Sequence, residues 1–283
     1  METKKQQPNQ KPRSKGVSAF LVVIGCAIVA HIFFYMVAGA GSDNPLGGIM
    51  ATNFDEKGMP IGGNFLGTLY HGGWVIPIVI TLLLTVFVLS VERFFALNRA
   101  SGKGSTAKFV MNAKAKLEAG DIAGASKLCD DQKGSVANIL KAGLIRYSDV
   151  EKLADVHNDE KAAMIQKEIE EATTLELPYL QQNLSVIATI SSLGTLMGLF
   201  GTVLGMIKSF GAMAQEGAPD STVLALGISE ALMNTAMGIG TGACAIISYS
   251  YFSGKVEDIT NAVDEVGFAI GQTYTTLHGG LSK

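Results

Sequence analysis

Four apolar blocks, at residues 17–40, 73–91, 184–207 and 222–252, hold almost no charge and constrain this chain more than any other feature. Each reaches the roughly 20 residues that a helix needs to cross a hydrocarbon core of about 30 Å. Lipid offers no hydrogen-bond partners to the backbone, so a segment of this length satisfies its own N–H and C=O groups as an α-helix. The fold class that follows is an all-α integral membrane protein with four predicted spans. Composition agrees: 17% of the residues are charged, against about 25% in an ordinary soluble domain.

Orientation follows from the basic residues beside each span, because Lys and Arg are retained on the cytoplasmic side. The stretch before residue 17 carries Lys4, Lys5, Lys11, Arg13 and Lys15 against Glu2, whereas residues 41–72 carry Lys57 against Asp43, Asp55 and Glu56. After the second block come Arg93, Arg99, Lys103, Lys108, Lys114 and Lys116, and the link before the fourth block has Glu216 and Asp220 without a base. The chain therefore divides into a basic cytoplasmic tail (1–16), an additional N-terminal span (17–40), a periplasmic loop (41–72), a second span (73–92), a helical cytoplasmic domain (93–183), a third span (184–211), a short periplasmic loop (212–221), a fourth span (222–253) and a cytoplasmic tail (254–283). The first block also resembles a signal peptide ending at Ala38, Gly39 and Ala40, but its 24 residues exceed the roughly 7–15 of an h-region, which favours an uncleaved anchor. His31 within it is read as a hydrogen-bonded packing residue in preference to a proton relay.

In the cytoplasmic domain, residues 108–118 and 121–130 read as a helix pair broken at Gly120, with Asp121 capping the second member. Ala162, Ile165, Ile169 and Ala172 recur at helical spacing on an amphipathic helix that leads toward the third span, where Pro178 would kink it or interrupt one turn.

Several function classes fall away. The 22 basic and 25 acidic residues are mixed through the polar segments, which leaves no electrostatic footprint for nucleic acid. Cys26, Cys129 and Cys244 are too far apart for a metal or disulfide framework, so no cofactor and no metal are expected. Intramembrane catalysis would need a nucleophile and base or two facing acids, and the four apolar blocks hold a single acid, Glu230, and a single His, His31; the chain is read as a non-enzyme.

The chemistry sits in the last two spans. Ser191, Thr195, Gly198, Thr202, Gly205 and Ser209 follow one another at spacings of three and four, which keeps them on one helix face. Gly194/Gly198 and Gly201/Gly205 match the small-residue spacing of close helix packing, so a packing seam is one reading of that face. The fourth span carries Glu230, and a carboxylate at mid-bilayer costs about 2.5–3.5 kcal/mol on insertion scales. Gly227, Asn234, Gly238 and Thr241 share its face and Thr235 lies at the edge. Two polar-faced spans, one bearing an acid, suggest a hydrated or proton-conducting path; the alternative is a structural, hydrogen-bonded Glu.

The runs GLFGTVLGMIKSF (198–210) and GISEALMNTAMG (227–238), preceded by VERFFAL (91–97), resemble the paired signatures of the MotA/TolQ/ExbB proton-channel family, and ExbB most closely. The resemblance covers about residues 73–254. It implies pore-lining roles for Thr202, Glu230 and Thr235, a homopentamer in the bacterial inner membrane, and a single-span ExbD- or TolR-like partner that supplies the titrating Asp. It further implies that proton motive force drives work on a TonB-like protein for outer-membrane uptake; the alternatives are a TolQ-like role in envelope integrity with a TolA-like transducer, or a non-conducting scaffold. Where Gly194–Thr195 stand, many relatives carry Ala-Pro, so Thr195 is an added pore candidate. Asn234 is also counted among the pore-lining candidates, where it could bond the acid or a partner helix or simply pack, and Gly198, Gly201, Gly205 and Gly238 are expected at helix contacts. Lys208, at the end of the third span, is expected to snorkel to the interface. The additional first span sets the chain apart from three-span relatives, and the two signatures set it apart from the flagellar stator branch.

Overall fold

The computed structural model describes residues 18–39, 53, 64–216 and 221–278. The basic tail at 1–16, most of the expected loop at 41–72, the middle of the link at 212–221, the last residues of the C-terminal tail and Ala40 of the alternative cleavage site lie outside the described residues. Within them the protein is all-helical. Four helices are long and apolar enough to cross a membrane.

The first, α1 (Ala19–Ile32), continues into a π-helical turn at Phe33–Ala38. The buried Asn53 donates from its carboxamide to the Val37 and Ala38 carbonyls at 2.8 and 3.0 Å, which satisfies acceptors that the end of the helix leaves open. His31 is exposed and lies 2.8 Å from the Ala27 carbonyl of its own helix. The hydrogen bond expected of it is thus present, within its own helix, while the ring itself is exposed.

A short helix, α2 (Phe65–His71), precedes the second spanning helix, α3 (Val75–Ser101). Asn64 caps α2 by accepting from the Leu66 and Gly67 amides, so the segment before the second apolar block carries helix as well as loop. Pro77 is accommodated in the first turn of α3, where no intrahelical N–H bond is lost.

The polar helical region comprises α4 (Thr106–Glu118), α5 (Ile122–Gln132), α6 (Ser135–Glu151) and α7 (Asn158–Gln181). Gly120, at φ +70°, ends α4 in a Schellman turn. Its amide donates to the Leu117 carbonyl and the Asp121 amide to Lys116, both at 2.9 Å. Asp121 then opens α5, its carboxylate accepting from the Gly124 amide at 2.8 Å. On α7 the residues Ile165, Ile169 and Ala172 are buried in the core.

Pro178 stays inside α7, and the chain breaks four residues later, at Gln182 and Asn183, before α8 (Leu184–Glu216). Asn183 adopts the left-handed conformation at φ +61°, which Asn tolerates better than most residues. The break is braced from α3. Arg93, fully buried, donates to the Tyr179 carbonyl at 3.2 Å and pairs with Glu92, which also accepts from Asn183 at 3.4 Å.

The uninterrupted long element is α9 (Ser221–His278), 58 residues and so about 87 Å at 1.5 Å per residue. It runs through the fourth apolar block and on into the polar helical region, where it packs against α4, α6 and α7. Tyr147 of α6 meets Tyr274 edge-on at 5.1 Å, and Asn158 donates to the carbonyl of His278 at 2.8 Å. One continuous apolar core joins this region to the bases of α3, α8 and α9. A smaller cluster ties α1, α2 and α3 together at the other end, with Met233 and Met237 of α9 packed against it.

Candidate functional site

α8 and α9 form an antiparallel pair, the most extensive helix contact among the described residues. Its basis is the absence of side chains. A Cβ placed on Gly198 would lie 2.9 Å from the Gly238 Cα and 3.0 Å from the Asn234 carbonyl; one on Gly205 would lie 3.0 Å from the Ala231 Cβ. Gly194 faces Thr241 and Gly242 in the same way, Gly201 faces Asn234, and Ser209 faces Gly227. Each step along α8 thus meets an equal step back along α9, a seam of small residues that lets two backbones approach closely.

This seam resolves the periodic stripe of the third span into two parts. Gly194, Gly198, Gly201, Gly205 and Ser209 are buried against α9; Thr202 is half-buried at the seam's edge, and Thr195 is exposed. The edge carries the polar atoms. The Thr202 and Thr235 hydroxyls are in direct hydrogen-bond contact. Each also reaches backbone acceptors: Thr202 Oγ1 donates toward the Gly198 and Ala231 carbonyls at 3.2 and 3.3 Å, and Thr235 Oγ1 toward the same two at 3.5 and 3.4 Å. Thr195 lies toward the polar helical region and donates to the Ser191 carbonyl at 3.3 Å. Its hydroxyl faces α9 at Gly242, where a Cβ would come within 2.5 Å.

Glu230 lies on the opposite edge of the seam, five residues and about 140° around α9 from Thr235. Its carboxylate accepts from Lys208 Nζ at 3.2 Å. Thr195 and Lys208 are thirteen residues apart on α8, so the polar groups of the two edges are spread along about 20 Å at 1.5 Å per residue, a large part of a hydrocarbon core of about 30 Å. Glu230 also sits beneath the turn between α2 and α3, with Oε1 2.9 Å from where a Cβ on Gly73 would lie. A carboxylate so placed is charge-compensated and hydrogen-bonded, which answers the cost of an acid in a span. Asn234 instead turns into the seam: its side chain crosses Gly201, it is buried, and its carboxamide oxygen has no hydrogen-bond partner among the described residues.

The sequence reading missed the Lys208 pairing and the closeness of Gly73. Lys208 was expected to reach for the interface; its stem is exposed, but its ammonium turns back to Glu230. The signal that would have found it is the register of the seam. Once Gly205 is set opposite Ala231, Lys208 falls within one helical turn of Glu230, inside the reach of a Lys side chain.

The MotA/TolQ/ExbB proton channel family profile matches residues 132–265, from the end of α5 through both seam helices. Residues 132–265 of this chain are of the MotA/TolQ/ExbB family. Within it, the chain is 32% identical over 127 residues to the Tol-Pal system protein TolQ of Pseudomonas aeruginosa, covering 45% of this chain and 55% of that protein. It is 36% identical over 78 residues to the biopolymer transport protein ExbB of Salmonella typhimurium, covering 28% and 32%. With the ExbB of Aquifex aeolicus it shares 29% over 119 residues, covering 42% and 72%. The chain spans about half the length of the TolQ relatives it matches. Both names thus occur among its relatives, and the family is a proton channel family.

Proposed function

We propose that this chain is the ExbB-like subunit of a proton-driven motor in the bacterial inner membrane, with Glu230, Thr202, Thr235 and Thr195 lining the ion path. The observation that carries this reading is the direct contact of the Thr202 and Thr235 hydroxyls at one edge of the small-residue seam between α8 and α9, the two helices that also bear Thr195 and the acid Glu230. Hydroxyls and carboxylates in series are groups along which protons pass in a low-dielectric interior. Asn234 then belongs to the wall between the helices, together with Gly198, Gly201, Gly205 and Gly238.

In this reading the chain has both termini in the cytoplasm and assembles as a homopentamer. The pentamer encloses a single-span partner of the ExbD or TolR kind, which brings the titrating Asp that no span of this chain contains. Work passes to a TonB-like transducer for outer-membrane uptake. The decisive experiment reconstitutes the chain with such a partner in liposomes and follows pH-gradient-driven proton flux. Glu230→Ala abolishes flux at equal assembled protein; a variant that conducts as wild type does would replace the channel with a scaffold.

A Tol-type role in envelope integrity is the second reading. It is favoured by the longer matched stretch with TolQ, 127 residues against 78 for the Salmonella ExbB. Cells lacking the chain separate the two. Loss of receptor-dependent uptake supports the ExbB-like role, and leakage of periplasmic protein with uptake intact supports the TolQ-like one.

A further inference from the structure

The turn above Glu230 is set by a helix too short to hold itself. α2 has seven residues, and isolated helices below about 12–15 residues are marginal in water, so its place depends on what fixes its two ends. Its C-terminal end is Gly72–Gly73, whose amides donate to the Leu69 and Tyr70 carbonyls at 3.1 and 3.2 Å. Gly73, at φ +72°, passes so close over Glu230 that a Cβ there would lie 2.9 Å from Oε1.

The N-terminal end of α2 is tied to the additional first span. Asn53 is buried and uses its whole carboxamide at this joint: Nδ2 donates to the Val37 and Ala38 carbonyls that end the π-helical turn, at 2.8 and 3.0 Å, and Oδ1 accepts from Asn64 Nδ2 at 2.9 Å. Asn64 in turn caps α2 through its own Oδ1. Between the two ends, Phe34 stacks on Tyr70 at 5.0 Å. Ala30, Phe34, Leu69, Ile76 and Ile80 form one apolar cluster, against which Met233 and Met237, three and seven residues beyond Glu230, are packed. Loss of the Asn53 carboxamide would strand two carbonyls and the Asn64 amide together, and none of these bonds involves α8 or α9. Buried groups left without partners shift a local opening equilibrium by about tenfold or more.

We infer that Asn53 is a positioning residue for Glu230: it joins the end of the additional span to the cap of α2 and so holds the Gly72–Gly73 turn over the carboxylate. α1 is thereby the fixed post from which one oxygen of the acid is covered. This inference rests on the proton-path reading for its meaning in transport, but its test does not pass through conduction.

The test is carboxyl modification of the purified full chain in detergent by a water-soluble carbodiimide with glycine methyl ester, read by mass spectrometry of peptides; amides of Glu230 with the added amine and with Lys208 are counted together. Glu92 is the internal control, because its side chain is comparably shielded, 17% exposed against 14% for Glu230, but sits at the joint between α7 and α8. Asn53→Leu removes every bond of the carboxamide, whereas Asn64→Asp keeps the cap of α2 and removes only the donor to Asn53. Either variant raises the initial rate at Glu230 by about tenfold or more over wild type and leaves the rate at Glu92 unchanged. Size-exclusion elution and far-ultraviolet circular dichroism identify which variants keep the wild-type fold, and either one alone carries the comparison. The inference is overturned if a folded variant modifies Glu230 at the wild-type rate, or if Glu92 accelerates to the same extent, which is the mark of general loosening. Absence of proton flux in liposomes would count against the channel reading and leave this result legible by itself.

Discussion

Gly238→Ala and Gly240→Ala place the same methyl group on the same helix, two residues apart, and should behave oppositely. A Cβ on Gly238 would lie 2.5 Å from the Gly198 Cα, 2.7 Å from the Gly194 carbonyl oxygen and 2.8 Å from the Gly198 amide nitrogen, whereas one on Gly240 meets nothing within 4 Å. Carbon atoms in contact sit at about 3.5–4.0 Å, so Gly238→Ala must push the α8–α9 seam apart by about 1 Å. The atoms it meets are backbone, and no side-chain rotation can absorb the shift. A gap of that size forfeits up to about half of each dispersion contact along the seam, and overpacking of this kind costs about 1–3 kcal/mol. Both variants share the gain in helix propensity of about 1 kcal/mol, so the difference between them isolates the seam. The assay is denaturant unfolding of the purified chain in a fixed detergent, followed by circular dichroism. Gly238→Ala unfolds about 1–3 kcal/mol less stable than Gly240→Ala. Equal stability of the two variants would refute the close approach of α8 and α9 on which the whole site is built.

Arg93→Met should destabilise the chain by about 3–5 kcal/mol, because it leaves Glu92 inside the joint between α7 and α8 without its counter-charge; the double variant Glu92→Gln/Arg93→Met recovers part of that loss in the same unfolding assay. Burial pushes the Cys129 thiol up to about 12, with the nearby Asp130 adding to the effect, so the native chain should show no modification by maleimide at Cys129 at pH 7.5, and mass spectrometry of the labelled protein checks this. Hydrogen bonds from Lys116 and then from the Gly124 amide hold the Asp121 carboxyl below the usual range. Its contribution to the α5 cap is therefore fully present above the ordinary carboxylate value of about 3.9 and disappears as pH falls through the lower folded value. The protection of the Gly124 amide against exchange, taken relative to its intrinsic rate at each pH, should fall only at that acidic end in wild type and should be low at every pH in Asp121→Ala.

Some of this protein is written along the chain. Uncharged runs of about twenty residues fold as spanning helices whatever surrounds them, because the bilayer and the backbone impose that outcome locally. Gly120 followed by Asp121 sets a helix end and a helix start within two residues, again by local geometry, and Ile165, Ile169 and Ala172 declare a buried face by their spacing alone. Glu230 is equally conspicuous, since an acid in an apolar run has no bland explanation in its own segment.

Other features depend on what is brought opposite what. Periodicity placed Thr195, Gly198, Thr202, Gly205 and Ser209 on one face, but only the α8–α9 contact separates the buried glycines and Ser209 from the threonines left at the edge. The pairing of Lys208 with Glu230 joins residues 22 apart across a helical hairpin, and it follows from an interhelix register that no single segment contains. Gly73 reaches the same acid from a third element. The joint after α7 is decided likewise: Pro178 is tolerated within the helix, and the break falls at Gln182 and Asn183, where Arg93 and Glu92 of α3 supply partners for the chain. Local propensity, hydrophobic period and membrane length are properties of a segment, and the sequence by itself determines them. The closing of Glu230 by Lys208 and Gly73 is a sum of contacts among distant segments, and only the packed tertiary structure decides it.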